Sequence, residues 1–140
     1  IGAELLLETL PAILNGNLRA TPQEESAATY AGKISKADAA LDWRDQADAL
    51  ARRVRAFNPW PVCVAALSDG RNLRIHGAQV LSRSTSAAPG TITATGKQGI
   101  DVATGDGVLR LLEVQPPAAK VMPVSAYLNA HSLTDTSFVQ

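Results

Sequence analysis

The stretch "GTITATGKQGIDVATGDGVLRLLEVQP" (residues 90–116) decides the fold of this chain. Short runs of β-branched and apolar residues alternate in it with glycine-containing segments at residues 96–99 and 105–107. β-branched residues favour strands, and glycine accepts the backbone angles that tight turns need. The pattern therefore predicts three short antiparallel strands joined by two turns.

A hairpin pattern precedes these strands in "VCVAALSDGRNLRIHGAQVLS" (residues 62–82). Two apolar runs flank Asp69-Gly70, a dipeptide that suits a tight hairpin turn. Five strands at this spacing predict a mainly β domain with flanking helices, of the α+β class. We expect a small open antiparallel β-barrel resembling an OB fold.

Helical patterns lie outside the strands. In "IGAELLLETLPAILNGN" (residues 1–17) the apolar residues recur at helical spacing, with Pro11 as a kink and Gly16 as a stop. A second helix is predicted over residues 44–57 and a short third one over residues 123–131. The segment between the first two helices is polar and indicates an extended linker.

Composition sets limits on function. The chain has 140 residues, no net charge and one cysteine. A balanced charge argues against a protein that binds nucleic acid purely by electrostatics, although a chain with no net charge can still carry a local basic face. No apolar run is long enough to span a bilayer, so we expect no membrane partner. Because the chain begins on Ile1 and not on methionine, we expect a fragment of a longer protein.

No constellation typical of an active site is found. His76 and His131 have no sequence reason to meet, and Cys63 falls in an apolar strand, where thiols are usually inert. The glycine-rich segments lie between predicted strands, whereas a phosphate-binding loop joins a strand to a helix. Four aspartates suit the start of a helix better than a metal site: Asp38, Asp42, Asp45 and Asp48. We predict no catalytic, cofactor-binding or metal-binding residue.

Basic residues are more informative. They cluster in the linker tail and on the second helix: Lys33, Lys36, Arg44, Arg52, Arg53 and Arg55. One interpretation is a solvated helix face with ion pairs at i,i+4 spacing, Arg44 with Asp48 and Asp48 with Arg52. The other is a stripe that follows a phosphate backbone, as basic helices beside small barrels do. The pattern alone leaves both open.

The stretch "VRAFNPWP" (residues 54–61) connects the second helix to the first strand. Pro59 ends the helix, and Pro59 and Pro61 fix the turn. Large aromatic side chains at such a corner usually serve packing. We therefore expect Phe57 and Trp60 to lock the helix onto the barrel.

Several strings together resemble the C-terminal part of the methionyl-tRNA formyltransferase family. They are "TYAGKISKADAALDW" (29–43), "RRVRAFNPWP" (52–61), "APGTI" (88–92), "GIDVATGDGVLRLLEVQP" (99–116) and "KVMPVSAYLNA" (120–130). The resemblance extends to "GAELLLETL" (2–10) and so covers nearly the whole chain.

The resemblance implies an enzyme that transfers a formyl group from 10-formyltetrahydrofolate to methionyl initiator tRNA in translation initiation. It divides the chain into residues 1–16, the last helix of a truncated N-terminal formyltransferase domain, residues 17–32, a linker, and residues 33–140, the C-terminal barrel. The catalytic residues and the folate pocket of this family lie in the N-terminal domain. We therefore expect this fragment to be inactive alone and to hold no cofactor.

By the same resemblance, the chain is the tRNA-binding module of a cytoplasmic enzyme. Its expected partners are initiator methionyl-tRNA and the N-terminal catalytic domain of the same protein. The candidate tRNA-binding residues are Lys33, Lys36, Arg52, Arg55 and Lys120. Lys120 lies one place beyond the lysine that usually follows the Gln-Pro of the family.

Two alternatives remain open at this point. Related C-terminal barrels occur in formyltetrahydrofolate dehydrogenase and in an amino-sugar-nucleotide formyltransferase, where they bind no tRNA. The basic linker with Lys33 and Lys36, and the stretch at residues 99–116, favour the tRNA enzyme. A free-standing RNA-binding barrel is disfavoured by the helix at the N-terminus.

Overall fold

A computed structural model describes residues 1–139, and it divides the chain into two compact units, residues 1–33 and 34–140. The first unit contains α1 (Gly2–Leu14), with Pro11 inside it, and a short 3₁₀ helix (Glu25–Ala27). None of the residues of α1 is buried. Gly16 adopts a positive φ of 67° directly after the helix, as its position in the sequence predicts.

The second unit, called the barrel unit below, is built on seven antiparallel strands. They are β1 (Cys63–Leu67), β2 (Asn72–Leu81), β3 (Ile92–Gly96), β4 (Gly99–Ala103), β5 (Val108–Gln115), β6 (Met122–Pro123) and β7 (Phe138–Val139). The sheet order is β3-β4-β5-β2-β1-β7, and β6 pairs with β5. The five predicted strands are all present, and β6 and β7 are additions of two residues each.

The sheet curls until its two edges meet at one point. Thr91, before β3, forms an isolated antiparallel bridge with Ser137, before β7. The Phe138 N–H donates to the carbonyl of Gly90 over 2.9 Å. The rest of the two edges is not paired in this way, so the sheet is an open half-barrel. This confirms the predicted small antiparallel barrel of the α+β class.

Helix α2 (Ala47–Ala56) packs against β2 and β5 and covers the core of the half-barrel. Its buried residues are Ala47, Leu50, Ala51 and Val54. They recur at helical spacing and join a core formed by the inward residues of the strands. The short helix α3 (Val124–Ala130) adds Val124 and Tyr127 to the same core. Leu128 packs partly buried against it.

The start of α2 differs from the sequence prediction, which placed it at Arg44. The helix begins three residues later because residues 43–45 are bonded elsewhere. The Gly105 N–H donates to the carbonyls of Trp43 (2.9 Å) and Asp45 (3.0 Å). A long-range contact with the β4–β5 turn therefore holds this segment out of the helix.

The two tryptophans differ in burial. Trp43, in the tail of the predicted linker, is fully buried and lies 4.9 Å from the ring of Phe138 between centroids. Trp60 is 56% exposed and does not lock the helix onto the barrel, so that prediction is wrong. Phe57 alone fulfils it, since it packs partly buried against the core.

No helix among residues 1–139 combines the length and the apolar character that crossing a bilayer requires. The longest helix, α1, has 13 residues.

A substitution at Gly105 tests the hydrogen bond between the Gly105 N–H and the Trp43 carbonyl. A methyl group at this residue would overlap the carbonyl oxygen of Arg44, whereas a methyl group at Gly96 would meet nothing within 4 Å. We expect Gly105→Ala to lower the free energy of unfolding by about 1–3 kcal/mol, because the backbone must move apart. Urea unfolding followed by circular dichroism measures this. Gly96→Ala is the matched control, and equal stability of the two variants would contradict the prediction.

Candidate nucleic-acid interface

The segment Phe57–Val62, called the corner below, closes on itself by a backbone hydrogen bond. The Val62 N–H donates to the carbonyl of Phe57 over 2.9 Å. The peptide bonds before Pro59 and Pro61 are both cis. Val62 adopts a φ of 65°, in a region that β-branched residues rarely occupy. The corner is thus a defined turn, and Trp60 lies at its exposed side.

A β-bulge in β2 holds the corner against the barrel. The register between β2 and β5 shifts on both sides of Gly77, directly after His76. A bulge interrupts the ladder of backbone hydrogen bonds and bends the strand. The side-chain amide of Asn58 donates to the carbonyl of His76 over 3.1 Å. The corner is therefore bonded to the strand at the place where the strand bends.

The side chain of His76 continues this connection to the loop between β5 and β6. A ring nitrogen of His76 lies 3.1 Å from the side-chain oxygen of Gln115. The Gln115 amide donates in turn to the carbonyl of Ala119 over 2.9 Å, one residue before Lys120. The four residues Asn58, His76, Gln115 and Ala119 form what we call the bulge network. It brings the corner and the Lys120 loop to the same part of the half-barrel.

The cations of the barrel unit divide into two groups. Five arginines form ion pairs with aspartates: Arg44, Arg53, Arg71, Arg83 and Arg110. Six exposed cations have no carboxylate within 4.0 Å in the described part of the chain: Lys36, Arg52, Arg55, Arg74, Lys97 and Lys120. Four of the five predicted tRNA-binding residues belong to the second group. The fifth, Lys33, is exposed and ends the first unit, outside this arrangement.

The predicted ion pairs on α2 do not form. Arg44 bonds Asp42 in the preceding turn, through its Nη2 at 2.6 Å, and this contact lowers the pKa of Asp42 to about 2. Arg53 pairs with Asp45 at 3.7 Å. No ion pair joins Asp48 and Arg52, although both are described. The interpretation of this face as internally paired was therefore wrong in its partners.

Arg52 and Arg55 lie three residues apart and share one exposed stripe of α2. Lys36 is the first residue of a 3₁₀ helix (Lys36–Ala39). The neighbouring Asp38 has a lowered pKa, mainly from hydrogen bonds with Ser35 and in smaller part from the charge of Arg53. Lys36 thus lies on a different element from Arg52 and Arg55, which are both on α2.

Arg74 is a candidate that the sequence analysis missed. It lies on β2 between the buried Leu73 and Ile75 and pairs across the sheet with Gln115 of the bulge network. Its side chain lines a groove of about 540 Å³ together with Pro116 and Pro117. The alternation of buried and exposed residues in "LRI" (residues 73–75) is the signal that indicates an outward arginine.

The remaining reactive side chains have packing roles. Cys63 is fully buried, and burial raises the pKa of its thiol to about 11. The His131 ring stacks on Tyr127 at 4.4 Å between centroids. Among residues 1–139, no group of three or more acidic, histidine or cysteine side chains could hold a metal ion. The arrangement can bind anions such as phosphates through its unpaired cations.

Comparison with known proteins identifies the family to which the chain is similar. The family described as "Formyl transferase, C-terminal domain" matches residues 33–132. A methionyl-tRNA formyltransferase of Nitrosococcus oceani is 53% identical over 96% of this chain and 42% of its own length. One of Methylococcus capsulatus is 51% identical over 95% of this chain and 42% of its length. The chain thus spans about two fifths of these curated relatives.

Among solved structures, a variant of HypX from Aquifex aeolicus is similar over 90% of this chain and 22% of its own. The TM-score is 0.63 and the sequence identity 21%. A structure of the same protein in complex with tetrahydrofolic acid has a TM-score of 0.60 at 21% identity. At this identity the likeness concerns the fold alone.

The bulge network predicts that Asn58 fixes the corner. Replacing Asn58 by alanine removes the donor to the His76 carbonyl, so we expect the free energy of unfolding to fall by about 0.5–1 kcal/mol. The amide of Val62, which closes the corner, should exchange faster with deuterium. Asn72→Ala is the control, because Asn72 is an exposed β2 residue whose side chain makes no hydrogen bond within the described chain. Unchanged Val62 exchange in Asn58→Ala would contradict the role of the network.

Proposed function

The chain belongs to the formyl transferase C-terminal domain family, and from this premise we propose that it is the tRNA-binding module of a methionyl-tRNA formyltransferase. The observation that carries the proposal is the group of unpaired, exposed cations beside the bulge network. Arg55 precedes the corner, Arg74 lies on the bulged strand, and Lys120 follows the loop that Gln115 holds. Phosphate contacts by arginine and lysine supply most of the affinity of sequence-tolerant nucleic-acid binding.

The proposed contacts are of the kind that positions a nucleic acid without reading its sequence. Arg52 and Arg55 on one helix stripe suit neighbouring phosphates, and Lys120 and Arg74 extend the contact across the sheet. Lys33 and Lys36 are proposed as additional contacts from the segment before the barrel. Because Lys33 belongs to the first unit, ordering it on the tRNA would cost conformational entropy.

The activity of the whole enzyme is proposed from its relatives. On this proposal, an upstream catalytic domain transfers the formyl group from 10-formyltetrahydrofolate to initiator methionyl-tRNA in the cytoplasm, at translation initiation. The catalytic domain binds the formyl donor, and the barrel unit binds the tRNA as an OB-like module. The chain spans 42% of the first relatives, which is the support for placing the chemistry outside it.

The alternative, a barrel of an enzyme acting on a small molecule, is not favoured. Relatives at 45–53% identity are named methionyl-tRNA formyltransferase.

Salt dependence tests the tRNA contacts. If all six proposed residues, Arg74 included, meet phosphates, log K for an initiator tRNA transcript should fall with log salt at a slope of about −4 to −5.5. Arg52→Ala should flatten this slope by about one unit, without changing the preference among tRNAs. Filter binding or fluorescence anisotropy over a salt series measures both quantities.

Lys97→Ala is the matched control for Arg52→Ala. Lys97 is an unpaired, exposed cation in the β3–β4 turn and takes no part in the bulge network. Its removal should leave the slope unchanged. If the parent chain binds no tRNA even at low salt, or if Arg52→Ala keeps the parent slope, the cations are a solvated surface and the proposal fails.

A second test concerns activity. The purified chain should transfer no formyl group from 10-formyltetrahydrofolate to methionyl-tRNA, because on this proposal the catalytic residues and the folate pocket belong to the upstream domain. Release of N-formylmethionine from the tRNA measures the transfer, with a complete methionyl-tRNA formyltransferase as the positive control. Formylation above the background of a mock purification would contradict the assignment of the chemistry to another domain.

A further inference from the structure

Trp60 is the exposed side chain that the proposed phosphate contacts leave unexplained. The indole is 56% exposed, while Trp43 is fully buried. The other exposed large hydrophobic side chains of the barrel unit are aliphatic: Ile34, Val80, Val121 and Val139. Among the described residues of this unit, Trp60 is therefore the one exposed aromatic side chain.

The corner holds the backbone that carries this indole. The backbone bond from Val62 to Phe57 and the bond from Asn58 to His76 hold both ends of the turn. Proline on each side restricts the backbone further. A tryptophan side chain has only two torsions, so ordering it against a ligand costs little side-chain entropy. The geometry suits a stacking platform.

The charges around the corner favour a polyanion. Arg53 and Arg55 lie in the last turn of α2, directly before the corner, and Arg53 is paired with Asp45. Two acidic residues belong to the elements next to the corner. Asp48 is in the first turn of α2, and Glu113 lies on β5 opposite Gly77. The unpaired Arg55 is thus the charged group closest in sequence to Trp60, and its preferred ligand is a phosphate.

We propose that Trp60 stacks on an unpaired nucleobase of the bound tRNA while Arg55 contacts a neighbouring phosphate. This inference rests on the proposed function and adds a contact of a different chemical kind. Base–aromatic stacking tolerates any base, because every base has a π-face. The contact therefore strengthens binding without making it sequence-specific, and it selects tRNA regions whose bases are not paired.

Stacking and phosphate contacts respond differently to salt, and this separates them. Trp60→Leu keeps an apolar side chain but removes the π-face, so binding of an initiator tRNA transcript should weaken about tenfold at every salt concentration. The slope of log K against log salt should stay at the parent value, because no counterion is released at an uncharged side chain. Arg55→Ala should flatten the slope by about one unit. Trp60→Phe should recover part of the loss.

Tryptophan fluorescence gives a second, independent readout. The parent emission comes from Trp43 and Trp60, and Trp60→Phe isolates the buried Trp43. Bound tRNA should quench the Trp60 emission of the parent protein. It should leave the emission of Trp60→Phe, which comes from Trp43 alone, unchanged. The Trp43 signal and the thermal unfolding temperature show that each variant is folded.

The outcomes separate this inference from the function on which it rests. If the parent binds tRNA with the expected salt slope but Trp60→Leu binds equally well, Trp60 does not stack and the inference is overturned while the proposed function stands. The same holds if Trp60→Leu and Trp60→Phe lose equal affinity, since the π-face then has no role. If the parent binds no tRNA, both fail.

Discussion

The buried indole of Trp43 is the contact on which the half-barrel depends. It packs on Phe138 of β7 at 4.9 Å between ring centroids, close to where the Phe138 N–H bonds Gly90 before β3. The backbone carbonyl of Trp43 accepts a hydrogen bond from the Gly105 N–H in the β4–β5 turn. Trp43 therefore connects the segment that leads into α2 both to β7 and to the β4–β5 turn. A small half-barrel has few core residues, so a side chain of this size contributes much of the apolar burial.

Curvature and surface chemistry are coupled in β2. The bulge next to His76 bends the ten-residue strand, which lets the sheet curl around the core. The same bulge leaves the His76 carbonyl to accept from Asn58 and turns the His76 ring towards Gln115. The bend that the fold needs thus creates the bonds that place the corner and the Lys120 loop. The turn that follows Arg55 and the loop that precedes Lys120 are thus both bonded to the strand where the barrel needs its bend.

The sequence predicts the parts of this structure that depend on local patterns. Glycine spacing in residues 90–116 places β3, β4 and β5, and Asp69-Gly70 places the β1–β2 hairpin. The start of α2 was missed because bonds to Gly105, about sixty residues away in sequence, hold residues 43–45 outside the helix. The burial of the two tryptophans likewise depends on tertiary contacts, which the Pro-Trp-Pro pattern does not contain. The contacts of all five candidate residues with tRNA remain predictions: Lys33, Lys36, Arg52, Arg55 and Lys120.

A net charge of zero says little about this surface, because the charges are unevenly paired. Asp101 is almost fully buried and holds both Arg83 and Arg110, at 2.7 and 2.6 Å. The other paired arginines are also held by aspartates, several of them near the start of α2. Pairing therefore removes arginines in some places and leaves exposed cations in others, near the end of α2 and along β2. The electrostatic potential that a phosphate meets depends mainly on these unpaired cations, because the two charges of a close ion pair largely cancel at a distance. Salt screens the potential further, over a Debye length of about 10 Å. A neutral chain can thus carry a cationic contact surface, provided that its carboxylates lie elsewhere.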